Sequence, residues 1–112
     1  MIIGGDKLKI AQITPAEEKV MLVIWKYGEE EQLNLPLILK KVNDTYNLSW
    51  KSQTVSTFLT RLVRKRYLYG YHEGRFFYYR AILAHQDYIE GEMFKILSFW
   101  FEGDKDAMIS LL

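Results

Sequence analysis

SQTVSTFLTRLVRKRYLYGYHEGRFFYYR, residues 52–80, changes its periodicity once, and that change decides the fold. Over the first half, Val55, Phe58, Leu59 and Leu62 recur three and four residues apart, the spacing of one helical face, and the pattern runs to about Lys65. Ser49 to Ser52 supply several candidate caps for the start of this helix. The chain then reads Tyr67-Leu68-Tyr69-Gly70-Tyr71, His72-Glu73-Gly74-Arg75 and Phe76-Phe77-Tyr78-Tyr79-Arg80. Aromatic-rich runs on either side of a glycine-containing turn predict a β-hairpin.

Upstream, Thr14-Pro15-Ala16-Glu17 is a helix start: a threonine cap, a proline at the first helical position and a glutamate that completes a capping box. Val20, Met21, Ile24 and Trp25 follow at helical spacing, and Gly28 marks the stop, so the first helix is expected near residues 15–27, with Trp25 in the core. Glu29-Glu30-Glu31 reads as a solvated loop. Pro36 opens a second helix with Leu37, Ile38 and Val42 on its inner side, fading by Asp44-Thr45. Downstream of Ala81 the helical pattern returns in a stretch crowded with large apolar groups from Tyr88 to Phe101, interrupted at Gly103, with a further turn from Ala107 to Leu112. The order helix, helix, helix, hairpin, helix is the winged helix-turn-helix plan. The expected class is mainly α with a small β-hairpin wing (α+β). A winged helix-turn-helix DNA-binding domain is expected over 1–82 and a C-terminal helical dimerisation segment over 83–112.

The net charge of +1 conceals a gradient. Residues 1–50 sum to −1, residues 51–80 to +6 with Glu73 the lone acid, and residues 81–112 to −4. A basic centre between neutral and acidic flanks suits a polyanionic partner. The third helix sharpens this. At about 100° per residue, Gln53, Thr54, Thr57, Thr60, Arg61 and Arg64 fall within about 120° of arc, opposite the apolar face. A solvated face ordinarily mixes both signs; this one has no acid. Guanidinium groups pair with guanine, amides with adenine, and threonine methyls pack on thymine, while hydroxyls and cations hold phosphates. Lys51, Ser52 and Ser56 at or near the start of the helix, and Arg75 at the hairpin turn, complete the candidate DNA-binding set.

Other chemistries find little support. There is no cysteine, which excludes disulfides and thiolate metal sites and fits a reducing, cytoplasmic setting. His72 and His85 are isolated, so no metal site and no cofactor are expected; His85 reads as a cap or surface residue. No apolar run approaches the 18 or so residues that span a bilayer, and Met1–Ile10 lacks the pattern of a signal peptide. No nucleophile elbow, phosphate-binding loop, dinucleotide fingerprint or zinc-protease motif is present. No catalytic residues are assigned, and the chain is not expected to be an enzyme. Glu17-Glu18 are accounted for by capping.

The motifs Ile13-Thr14-Pro15-Ala16-Glu17, Val20-Met21, Ile24-Trp25, Trp50, Thr54-Val55-x-Thr57-x-x-x-Arg61-Leu62-x-x-Lys65 and Gly74-Arg75 with Tyr79 resemble, at this spacing, the BlaI/MecI family of penicillinase and methicillin-resistance repressors, which includes the copper-responsive CopY branch. The resemblance covers roughly residues 10–103. It implies a repressor of resistance or stress-response genes that binds a pseudo-palindromic operator in double-stranded DNA. It implies a homodimer held by C-terminal helices; the apolar crowding of that segment, more than one helix face can bury, puts Tyr88, Ile89, Met93, Phe94, Leu97, Trp100 and Phe101 in the expected dimerisation set. For the β-lactam branch it also implies an upstream signalling protease that relieves repression. Three departures stand out. Arg66 occupies a position where the family often has glycine. The copper-sensing cysteine cluster is absent. Near Ile109-Ser110-Leu111-Leu112 the Asn-Phe pair of the protease-cleaved branch is missing, so either the signal differs or the chain is a truncated form. The alternative is a winged-helix protein-interaction module that uses the C-terminal aromatic helix.

Overall fold

A computed structural model describes residues 10–112, and the stretch read above for a signal peptide lies outside the described residues but for Ile10. Two compact units emerge, one formed by Gln12–Leu83 and the other containing Ala84–Leu112.

In the first unit, α1 runs Pro15–Tyr27. Its capping box is complete: the Glu17 backbone N–H donates to Thr14 Oγ1 at 3.1 Å, and the Thr14 N–H donates to Glu17 Oε1 at 2.8 Å. Helix α2 runs Leu35–Tyr46, with Pro36 in its first turn. Asn34 caps it by accepting the Leu37 N–H at 3.0 Å, and Asn47 closes it in the left-handed region at φ 54°. Helix α3 spans Ser52–Arg64.

The turn between α2 and α3 is clasped by one side chain. Asn43 accepts the Trp50 N–H and donates to the Trp50 carbonyl, each at 3.0 Å. The Trp50 ring in turn lies 5.2 Å from Phe58 of α3.

Beyond α3 the chain enters a Schellman turn. Arg66 sits at φ 67°, its N–H bonds the Val63 carbonyl, and the Tyr67 N–H reaches back to Leu62. The departure at Arg66 therefore falls where the backbone adopts the conformation that glycine takes without strain.

Strands β1 (Leu68–Glu73) and β2 (Phe76–Ala81) pair antiparallel, from Leu68 opposite Ala81 to Glu73 opposite Phe76. The turn is only Gly74-Arg75, tighter than the four-residue segment read from the sequence. Gly74 at φ 63° supplies the glycine-first geometry of a two-residue hairpin. His72 is thus a strand residue, set edge-on to Phe77 at 4.8 Å. The Phe77 ring also covers Gly70 so closely that a Cβ there would lie 2.3 Å from it. Leu33, between α1 and α2, bridges to Tyr79 as a one-residue third strand.

The core is Val20, Met21, Val23 and Ile24 of α1, Leu33, Ile38 and Val42, Val55, Leu59 and Leu62 of α3, and Tyr67 with Leu68. Trp25 is only half-buried: its ring reaches the edge of the unit, where Nε1 donates to the Leu83 carbonyl at 2.8 Å.

In the second unit, α4 spans His85–Trp100 and α5 Lys105–Ile109. His85 opens α4 rather than capping it, because Ala84 occupies the cap position. Glu102 and Gly103, both at positive φ, break the helix, and Asp104 recaps it by accepting the Ala107 N–H. The last helix thus begins two residues earlier than its apolar residues suggested. No helix among the described residues is long and apolar enough to cross a membrane.

Candidate nucleic-acid interface

Helix α3 buries Val55, Leu59 and Leu62, which turns its other side outward. Lys51, Ser52, Gln53, Thr60, Arg61 and Arg64 are exposed; Thr54, Ser56 and Thr57 are half-buried beside them. The start of the helix is open. Lys51 occupies the cap position without a side-chain hydrogen bond, so the first-turn N–H groups point outward with the positive end of the helix dipole. An anion is the natural partner for such an end.

The threonines are more restricted than their chemistry alone implies. Thr57 Oγ1 donates to the Gln53 carbonyl and Thr60 Oγ1 to the Ser56 carbonyl, each at 3.0 Å. With their donors engaged in the helix, these side chains offer a methyl group and an acceptor oxygen to a partner, which suits base-edge packing better than phosphate binding.

Six of the seven basic side chains in residues 51–80 are exposed: Lys51, Arg61, Arg64, Arg66, Arg75 and Arg80. Arg66 and Arg80 were not in the sequence-based set, although the charge count contained them. Arg75 sits at the tip of the hairpin, next to Phe76, which is 54% exposed. Glu73, the one acid of this stretch, meets the side-chain amide of Gln32, which also donates to Tyr71 Oη at 3.4 Å.

Lys65 is the exception. Its Nζ lies 2.9 Å from Oε1 of Glu17, which is 0% exposed. Burial pushes the Glu17 carboxyl up. The Lys65 ammonium, with the Thr14 backbone N–H and hydroxyl, outweighs that and holds it below its ordinary range. Glu17 Oε2 is buried with no hydrogen-bond partner among the described residues. The sequence explained Glu17 as a cap; the pairing with a residue 48 positions away carried no local signal.

On α4, Ile89, Met93 and Trp100 are exposed, Trp100 to 76%, while Tyr88, Phe94, Leu97 and Phe101 are half-buried. Phe99, outside the sequence-based set, is 85% exposed. Among the described residues no three His, Asp or Glu side chains are grouped to hold a metal.

The family described as "Penicillinase repressor" matches residues 13–112. The chain is 35% identical over 101 residues to the penicillinase repressor of Bacillus licheniformis, covering 90% of this chain and 75% of that one. It is 32% identical over 79 residues to an uncharacterized 16.5 kDa protein encoded in the ptsI 3′ region of Latilactobacillus sakei, covering 70% of this chain and 51% of that one. Among solved structures it is similar to the B. licheniformis BlaI monomeric form in complex with the blaP half-operator. The TM-score is 0.57 and the identity 37%, over 70% of this chain and 90% of that one. The solution structure of the DNA-binding domain of the repressor BlaI matches with the same values. With its three-helix core, its two-stranded wing and this extent of similarity, the chain belongs to the BlaI/MecI/CopY family of winged-helix repressors.

Proposed function

We propose that this chain is a DNA-binding transcriptional repressor that reads double-stranded operator DNA with α3 and is not an enzyme. The observation that carries this is the outward face of α3, which bears Gln53, Thr54, Thr57, Thr60, Arg61 and Arg64 and no acid, on a chain similar to a repressor solved with a half-operator. Lys51, Ser52 and Ser56 stand at the start of that helix, and Arg75 extends the basic surface to the wing tip. In this reading the unit Gln12–Leu83 binds DNA in the cytoplasm, and α4 joins two copies on a pseudo-palindromic site of resistance or stress-response genes. Support for the second copy is the exposed Ile89, Met93, Ile96 and Trp100, which share one side of α4. An upstream protease remains the signal the family suggests.

The test is a salt series on operator-length duplex. Each neutralised phosphate contributes about −0.9 to the slope of log K against log salt. If half of the six exposed cations in each subunit reach phosphate, a dimer gives a slope of about −5. A slope near zero would refute DNA as the partner and favour a protein partner on the aromatic helix.

A further inference from the structure

The buried side chains of helix α3 are Val55, Leu59 and Leu62; their packing sets which face of the helix turns inward, whereas its fine angle is most sharply set by directional hydrogen bonds and ion pairs. Directional contacts sit at the two ends. At the start, Asn43 clasps Trp50 through two hydrogen bonds, just before the helix. At the finish, Lys65, which closes the helix, is held at 2.9 Å by Glu17 of α1. Glu17 is itself immobilised, because the same Oε1 accepts the Thr14 N–H.

We propose that Glu17 is a positioning residue for DNA reading: its buried carboxylate fixes the angle of α3 through Lys65 and so sets operator specificity without touching DNA. This rests on the reading of α3 as the DNA-contacting helix.

Two features favour positioning over stability as the role of the pair. Glu17 Oε2 is buried without a hydrogen-bond partner among the described residues, a destabilising feature that an apolar pair of the same size would avoid. The pair also engages an ammonium that would otherwise add to the basic surface. A buried ion pair is weak evidence for stability, and its directionality is what a hydrophobic replacement loses.

The experiment compares affinity for two duplexes: one that the parent chain enriches from a randomised pool, and a shuffled duplex of the same composition. Loss of folded protein weakens both affinities by the same factor, so their ratio reports the geometry of the folded form. Two variants are measured. Glu17→Gln keeps an oxygen for the Thr14 N–H and loses the charge. The double variant Glu17→Gln, Lys65→Met replaces the ion pair with a neutral one and is expected to melt near the parent. In both, the ratio should fall about tenfold, the scale of one lost base contact. A ratio within twofold of the parent in either variant, while Arg61→Ala still weakens binding to either duplex, overturns the proposal. Failure of the parent to enrich any sequence, or unchanged affinity of Arg61→Ala for both duplexes, refutes instead the reading of α3.

Discussion

Arg66 is the residue whose replacement by glycine should strengthen the protein. It occupies φ 67° in a Schellman turn, where its own N–H and that of Tyr67 close α3 onto Val63 and Leu62. Its side chain is exposed, so the conformation is imposed by the turn and by the burial of Tyr67, which is 1% exposed. A side-chain-bearing residue in the left-handed region costs about 1–2 kcal/mol. Glycine removes that cost but returns roughly 0.5–1 kcal/mol through the greater freedom of the unfolded chain. Arg66→Gly should therefore stabilise by about 0.5–1 kcal/mol, or about 4 °C in midpoint for a domain of this size. The control is Arg66→Ala, which removes the same charge and stem and retains the strain. It should stay within about 0.5 kcal/mol of the parent. Urea unfolding followed by circular dichroism measures both. Equal stability of the glycine and alanine variants would show that the turn is unstrained and refute the reasoning.

Three other outcomes are expected. Arg61→Ala should weaken operator binding by about 1–3 kcal/mol and relax preference at one base pair if the guanidinium reads a base; unchanged affinity in a titration would remove Arg61 from the interface. Because the Glu17 carboxyl is held below its ordinary range, its pairing stabilises the fold above that range and is lost as pH falls through the lowered value. The acid limb of a stability-versus-pH curve should therefore be shallower in Glu17→Gln, and identical limbs would contradict it. A chain ending at Ala84 should remain folded, sediment as a monomer and bind a full operator far more weakly than the intact chain; an intact chain that sediments as a monomer at micromolar concentration and still binds tightly would exclude the dimer.

The parts of this fold legible in the sequence are those written in adjacent residues. Thr14, Pro15 and Glu17 specify the start of α1 because capping acts over three positions, and Gly74-Arg75 between aromatic runs specifies the hairpin because turn and pairing are local. The polar face of α3 followed from helical geometry once Val55, Leu59 and Leu62 were recognised as its apolar side. What stayed hidden depends on tertiary approach. Asn43 reads as a helix interior residue until its seven-residue reach to Trp50 is seen. Leu33 looks like loop until Tyr79 pairs with it. Glu17 has a sufficient local explanation, which masks its distant partner. In the candidate interface, residue type showed which groups line the surface, but the engagement of the Thr57 and Thr60 hydroxyls depends on rotamers that no spacing encodes.

The Phe77 ring lying over Gly70 makes two positions on opposite strands a single evolutionary unit. Alanine at 70 would strike the ring at 2.3 Å, and moving the ring away breaks its edge-on contacts with His72 and Tyr79. The order of change therefore matters. A lineage that first trims Phe77 to a smaller residue opens position 70 to any strand-forming side chain, whereas one that first alters Gly70 passes through a disrupted wing. Among descendants of this sequence, glycine at 70 should persist wherever the aromatic at 77 does, and should be released only after it is gone.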